Sequence, residues 1–418
     1  MWSWWRDMSS NWNVVPFTEA VDICDTLRKP INSSERASRI KGKEQSELYP
    51  YYGATGQVGF IDDYITDGEY VLLGEDGAPF LDAFSNKAYI ISGKTWVNNH
   101  AHVLRSKTNN KFLCYYLNSF NYKGYVSGTT RLKLTQAEMK RIPVPVPPLS
   151  EQERIVSRIE ELFSQLDAGV ETLKKSKAQL AVYRQAVLKE AFEGRLTIHV
   201  PVNLPLSWAS SDETNTLPAI PEEWHYIALK YLGDLGRGKS KHRPRNDSKL
   251  FVDGKYPFIQ TGDVKAATNC ITTFTKQYGE FGLSQSKLWP KGTLCITIAA
   301  NIAETAFLGI DACFPDSVVG FTPNESILAE YVRYFVESQK IRLWAFAPAT
   351  AQKNINLDTL ENLIVPYCSI DEQRVVISEI ESRLSVCDSI EQTVDAALQQ
   401  AEAMRQSILK DAFEGKLT

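Results

Sequence analysis

Two stretches of the chain are too long and too regular in their apolar spacing to be ordinary globular helices. From Glu151 to Phe192 there is no proline, and seam residues recur at alternating steps of four and three: Ile155, Ile159, Leu162, Leu166, Gly169, Leu173, Ser176, Leu180, Tyr183 and Val187. A second series obeys the same rule: Val376, Ile380, Arg383, Cys387, Ile390, Val394, Ala397, Ala401, Met404 and Ile408. Heptad spacing sustained over more than four heptads predicts coiled-coil helices. Ser150, with Glu153 three residues on, is an N-cap candidate, and Gly194 and Gly415 are C-terminal stops. A helix of about 42 residues is roughly 60 Å long, the length of a spacer or an assembly surface. Gly169, Ser176, Arg383, Ala397 and Ala401 weaken the seam. Either two helices of this chain approach closely there, or helices from a partner complete a bundle.

The two helices are copies. Arg184–Thr197, RQAVLKEAFEGRLT, returns as Arg405–Thr418, RQSILKDAFEGKLT, identical at 10 of 14 positions and offset by 221 residues. The same offset pairs Glu151-Gln152 with Glu372-Gln373, Ile159-Glu160 with Ile380-Glu381, and Val144-Pro145 with Val365-Pro366. The chain is therefore one unit given twice, a globular part of about 140 residues followed by a long helix and a tail. The expected divisions are a first globular domain over 1–148, a helix over 149–197, a linker over 198–218, a second domain over 219–368 and a second helix over 369–418.

Ahead of the first helix the pattern is one of short β-rich runs: Gln57–Ile61, Tyr70–Leu73, Ala88–Ile91 and Ala101–Leu104, separated by glycine and Asn/Asp turns. A helix is predicted near 110–120, with a counterpart near 328–344. After each comes a loop of hydroxyl, amide and basic residues, Ser127–Leu134 and Pro348–Asn356. The run Pro143–Leu149 reads as a stiff extended spacer. Outside a few points, such as Tyr49–Gly56 against Tyr256–Asp263, the two mixed α/β domains differ greatly. A duplicated scaffold carrying divergent domains suits one partner docked twice and two different ligands.

Composition narrows the class. Net charge is −4, which counts against a globally basic nucleic-acid binder but leaves local patches open. Seven cysteines without a CxxC pair fit reduced thiols rather than a disulfide frame or zinc site. No apolar run reaches membrane-spanning length, and the N-terminus lacks an apolar stretch of signal-peptide length, so a cytoplasmic protein is expected.

Candidate chemistry is sparse. Gly233–Ser240 matches the phosphate-loop pattern G-x4-G-K-[ST], but Pro244 and an unpatterned polar run follow where a helix is required. The same stretch reads better as a basic loop. His100 and His102 form an H-x-H pair without a third ligand, better read as structural. There is no serine-nucleophile elbow, no Asn-Pro-Pro-Tyr tetrapeptide and no singled-out carboxylate pair.

The order of globular domain, proline-rich joint, Leu149-Ser-Glu-Gln-Glu-Arg-Ile-Val156, long helix and Ala191-Phe-Glu-Gly-Arg-Leu196, all given twice, resembles the specificity subunit of type I restriction–modification systems. The resemblance runs from about Asn11 to the end; in the second copy Pro366-Tyr-Cys-Ser-Ile-Asp-Glu-Gln373 departs from the first. It implies two α/β (α+β) target recognition domains separated by two antiparallel coiled-coil helices about a pseudo-two-fold axis. Each domain would read one half of a bipartite double-stranded DNA target. The chain would have no catalysis and no metal or cofactor of its own. Two methylation subunits using S-adenosylmethionine and two restriction (motor) subunits using ATP and magnesium would assemble on it. The alternatives are a nucleotide-binding enzyme using Gly233–Ser240 and a coiled-coil adaptor that does not bind DNA.

On this reading the expected DNA contacts are Arg28, Lys29, Arg36, Arg39, Lys41 and Lys43; Thr129, Thr130, Arg131 and Lys133; Arg237, Lys239, Lys241, His242, Arg243 and Arg245; and Gln260, Thr261, Thr350, Gln352, Lys353 and Asn354. Amides suit adenine edges, arginine suits guanine, and clustered cations suit phosphates. Phe192 and Leu196, with Phe413 and Leu417, are the expected docking residues for the methylation subunits.

Overall fold

Each globular part is fastened at its base by a short antiparallel strand pair, Asn13–Pro16 with Pro143–Val146 and His225–Ala228 with Ile364–Tyr367. The computed structural model describes residues 12–197, 217–346 and 354–417. Pro143–Val146 is thus a paired strand rather than a free spacer. Prolines are tolerated there because this two-stranded pair is all edge.

In the first domain, strands Val21–Ile23, Ala101–Ser106, Tyr70–Gly74 and Ala88–Ile91 form an antiparallel sheet in that order. A second sheet orders Gly56–Ile61, Tyr49–Gly53, Lys94–Val97 and Thr66–Asp67, with its central pair parallel. The second domain repeats this plan. Gly233–Arg237, Val318–Pro323, Leu294–Thr297 and Thr305–Leu308 make the first sheet, extended by Cys270–Ile271. Lys276–Tyr278, Tyr256–Phe258, Ala312–Cys313 and Leu288–Trp289 make the second. The helices Asn110–Ser119 and Ala329–Ser338 occupy the same place in the order. The expected helix at 328–344 is broken at Gln339, after which Lys340–Phe346 is a separate segment.

The long helices run Leu149–Phe192 and Ile370–Phe413. The first begins at Leu149, with the Pro148 carbonyl accepting from Glu151 and Gln152, so Ser150 lies inside the first turn and is not the cap. The repeated Glu-Gln pair ties each helix to its domain. Glu151 accepts from the Trp12 indole (3.1 Å) and Glu372 from the Trp224 indole (2.9 Å). Buried Gln152 donates to Pro147 O and buried Gln373 to Cys368 O. Both helices end alike. Gly194 (φ 72°) and Gly415 (φ 75°) take the left-handed conformation, and Arg195 and Lys416 N–H reach back to Glu190 and Asp411 carbonyls. Glycine adopts that conformation without a Cβ penalty.

Two compact units result, and they do not follow the linear repeat. One joins residues up to Ser176 with those from Thr393; the other spans Lys177–Gln392. In the first unit the tail of the second long helix closes the first domain's core. Phe413 packs edge-on against Phe112 and Tyr116, with Leu409 and Ala412 buried beside it. In the second unit the tail of the first long helix does the same, with Phe192 against Tyr331 and Phe335. Helix segments within each unit are antiparallel. Arg405 pairs with Asp167 in the first, while Lys177 meets Glu391, Arg184 meets Asp388 and Arg383 meets Glu190 in the second. Ile155, Ile159, Val376 and Ile380 of the seam are fully buried beside the domains, whereas Gly169, Tyr183, Ile390 and Met404 are exposed.

Phe192 and Phe413 are therefore core residues. Replacing either by alanine should cost about 3–5 kcal/mol of stability, as for other buried aromatics. Denaturant unfolding followed by fluorescence checks this; a loss below about 1 kcal/mol would place these rings outside the cores.

Candidate nucleic-acid interface

The duplicated topology brings the same four segments together in each domain. In the first, the turn after Tyr49–Gly53, the loop after Tyr70–Gly74, the loop after Lys94–Val97 and the 127–133 loop surround a cleft of about 700 Å³. Its lining includes Ala54, Asp76, Asn98, His100, Thr130 and Arg131. The 127–133 loop is closed by reciprocal backbone bonds between Ser127 and Lys133, and Gly77 N–H fixes it to Leu132 O. Gly128 has φ 98°, and a Cβ there would lie 2.3 Å from Arg131 O, so only glycine fits. Arg131 is exposed but held, its Nε 2.8 Å from Asp76.

In the second domain the equivalent segments, joined by the 237–246 stretch that has no counterpart in the first cleft, line two adjoining clefts of about 320 and 260 Å³ that share Arg245, Thr261 and Ser317. The first is also lined by Arg237, Asp316 and Asn354. Here too an aspartate holds the cations. Arg245 meets both Asp316 carboxylate oxygens, at 2.7 and 2.8 Å, and Arg237 donates twice to the Asp316 carbonyl. Asn354 bridges to Ala299 as Lys133 bridges to Asp76. Ala300, in the loop equivalent to that of Gly77, adopts φ 62°, a strained choice for a residue with a Cβ, at the lip of the cleft. Each cleft thus presents an acid-oriented arginine beside hydroxyl and amide groups, the set that reads base edges and phosphates.

A family model described as the type I restriction modification DNA specificity domain matches residues 10–181 and again 221–400. The chain belongs to this family. It is 27% identical over 393 residues to a putative type I restriction enzyme specificity subunit of Haemophilus influenzae, covering 93% of this chain and 91% of that one. Identity is also 27% to the EcoBI specificity subunit of Escherichia coli, over 91% of this chain and 79% of that one. Its fold resembles a chain solved in a study of complex assembly and conformational transition of the type I R-M system (TM-score 0.70, 16% identity, 98% of this chain and 99% of that one). It also resembles the HsdS subunit of Thermoanaerobacter tengcongensis (TM-score 0.53, 15% identity, 98% of each chain).

Membership in the specificity family fits the fate of the phosphate-loop motif. Gly233–Arg237 is a β-strand paired with Val318–Pro323, not a turn between strand and helix. Its glycines admit neighbours: a Cβ on Gly236 would meet the Trp289 ring at 2.7 Å, and one on Gly238 the Phe314 carbonyl at 2.2 Å. The nucleotide-binding alternative is thereby discarded. His102 of the H-x-H pair is buried, with Nδ1 2.8 Å from Asp25 and Nε2 3.1 Å from Leu134 O.

The basic stretch 28–43 divides. Arg28 is partly buried and pairs with Glu75 and Asp25. Arg36 lies over the Tyr51 ring and donates to Val58 O; Arg39 and Lys43 share Asp62, and Arg39 also lies over Trp96. Lys29 and Lys41 are exposed. In the second domain Lys239, Lys241 and Arg243 are exposed, and His242 is 2.8 Å from Asp247. Gln260 lines the smaller cleft and caps the Thr261–Ala266 helix. Thr129 and Lys133 are exposed on the first loop. Thr350, Gln352 and Lys353, with nearly all of the 198–218 linker, lie outside the described residues.

The docking expectation for the helix tails needs correction. Phe192 and Phe413 are buried, and Leu196 and Leu417 pack against the same cores. Their repetition reflects two equivalent seats within this chain. Asp76 and Asp316, which orient the arginines, carried no sequence signal because single aspartates in loops are common.

Asp25 ties the strand residues His102 and Val103 to Gln136 within the first domain. Burial disfavours its charge, but hydrogen bonds from His102, Val103 N–H and Gln136, together with the charge of His102, outweigh this and hold its carboxyl below its ordinary 3.8. A depressed carboxylate contributes stability above its unfolded value, lost as pH falls through the lower folded value. The first domain should therefore weaken as pH drops below about 4. Asp25→Asn should be less stable at pH 7 and lack that dependence in acid unfolding monitored by circular dichroism; an unchanged acid profile would contradict the anchoring role.

Proposed function

We propose that the chain is the DNA-recognition subunit of a type I restriction–modification complex, with the two clefts as its reading surfaces. One observation carries the reading: domains that diverge in sequence each present, in a loop-lined cleft, an aspartate-held arginine beside a hydroxyl or amide, built from different loops in the two domains. Arg131 with Thr130 reads one half of the target, and Arg245, Arg237, Thr261 and Asn354 read the other. Lys41, Lys239, Lys241 and Arg243 contact phosphates. Arg28 has no part in the interface. Catalysis is left to partners: methylation subunits supply S-adenosylmethionine chemistry, and restriction subunits use ATP with magnesium, two copies of each. A cytoplasmic setting suits these partners, and among the described residues no helix is long and apolar enough to cross a membrane.

The methylation subunits dock on the outward side of the repeated tails. Gln185/Gln406 and Lys189/Lys410 are identical in both copies, and Lys189 and Lys410 are exposed. Core packing accounts for Phe192 and Phe413 but not for these positions. One surface repeated by duplication presents the same patch twice, as a symmetric dimer does.

Two experiments test this. Arg131→Ala should lower affinity for the cognate duplex by about 1–3 kcal/mol and relax one half-site, whereas Arg243→Ala should weaken all duplexes alike and flatten the salt dependence. Fluorescence anisotropy on the methylation complex reads both; unchanged affinity and salt slope in both variants would sink the cleft assignment. In native mass spectrometry, Lys189→Glu with Lys410→Glu should strip methylation subunits from a folded chain, and full retention would move the docking surface elsewhere.

A further inference from the structure

One cleft of the first domain borders the proposed docking patch at Gln406 but has no role in it. It has a volume of about 560 Å³ and is lined by Phe80, Lys87, Asn118, Asn121, Lys123 and Gln406. Lys87 is 3% exposed. Its ammonium makes one long hydrogen bond, 3.5 Å to Ala83 O, and no ion pair with a described residue. Asp82, on the same loop, is turned to the Phe84 N–H and the Ser85 hydroxyl. Burial lowers the affinity of Lys87 for its proton, and Asp82 offsets this only in part.

The second domain shows what this position normally requires. Gly74 N–H donates to Lys87 O at the strand end, and Thr297 N–H donates to Glu304 O at the equivalent point. Glu304 forms a 2.8 Å ion pair with Lys340. The acid of that pair is replaced by Lys87 in the first domain, and Asn121 follows the Asn110–Ser119 helix as Lys340 follows Ala329–Ser338. The internal counterion is lost while the site stays closed from most solvent. A buried cation is stable when paired and hydrogen-bonded. Lys123 is exposed at the rim as a second cation, and Asn121 and Gln406 add amide groups. The Asn118 amide is already engaged by the backbone of Lys87 and Ala88.

We propose that this cleft binds an oxyanion, a phosphate or carboxylate group, with Lys87 as its inner cation and Lys123 as its outer one. The group completes from outside the ion pair that the second domain completes from within. The test titrates the full chain with sodium phosphate, and separately with sodium acetate, at ionic strength held constant with chloride, by isothermal calorimetry. Saturable heat with either anion is expected, and the anion that saturates identifies the class. Affinity should fall about tenfold or more in Lys87→Met, the loss expected for a charge-assisted hydrogen bond, and by less in Lys123→Met. The rim variant alters an exposed side chain and reads out even where the buried one fails to fold. Absence of saturable heat with both anions, or undiminished binding in Lys123→Met and a folded Lys87→Met, overturns the site.

Discussion

The fold depends on an exchange of helix tails. A phenylalanine flanked by Ala191 and Glu193 completes the core of the second domain, and its copy at Phe413 completes the core of the first. Neither globular part is finished by its own following helix alone. Burying a large aromatic ring contributes more than any surface ion pair along the coil, where exposed charges are worth well under about 1 kcal/mol each. This explains why the seam tolerates Gly169, Ser176 and Arg383. Association of the helices is secured at the domains, where Ile155, Ile159, Val376 and Ile380 are fully buried, and the stretch between them need only stay helical.

That arrangement separates two kinds of constraint. The tails and the Glu-Gln starts contact features the two domains share: a tryptophan indole, a helix carrying paired aromatics and the basal strand pair. Those residues cannot drift without loss of a core, and they remain duplicated. The clefts lie on loops whose identity the scaffold does not dictate. A cleft residue can change while the topology beneath it stays fixed, which is the condition for varying recognition on one framework.

Legibility in the sequence followed the same division. The 221-residue repeat, the two helices and several strands could be read because each is enforced by periodicity or by a glycine in a required conformation. The tails showed as repeats, but their role did not, since an apolar residue at a helix end looks the same whether it seats in its own chain or a partner's. The basic stretch 28–43 was legible only in part, for a related reason. Cation density is visible in sequence, whereas the acids that neutralise it, Asp62 and Glu75, lie 19 and 47 residues from their partners Lys43 and Arg28. The phosphate-loop match failed because its glycines admit Trp289 and the Phe314 carbonyl, contacts made far along the chain.

Acidic partners also bear on how arginines read DNA. A guanidinium on a flexible chain loses conformational freedom on making a bidentate contact; one already held in orientation loses less. Asp76 and Asp316 supply that orientation but also compete with DNA for the same cation. A phosphate or a guanine edge approaching Arg131 or Arg245 must displace the carboxylate, and each can then bind the guanidinium through two parallel hydrogen bonds. On the proposed reading, the exposed Lys239 and Lys241 supply the sequence-independent attraction to phosphates. A net charge of −4 is compatible with the proposed reading because the positive charge is local to the clefts and their rims.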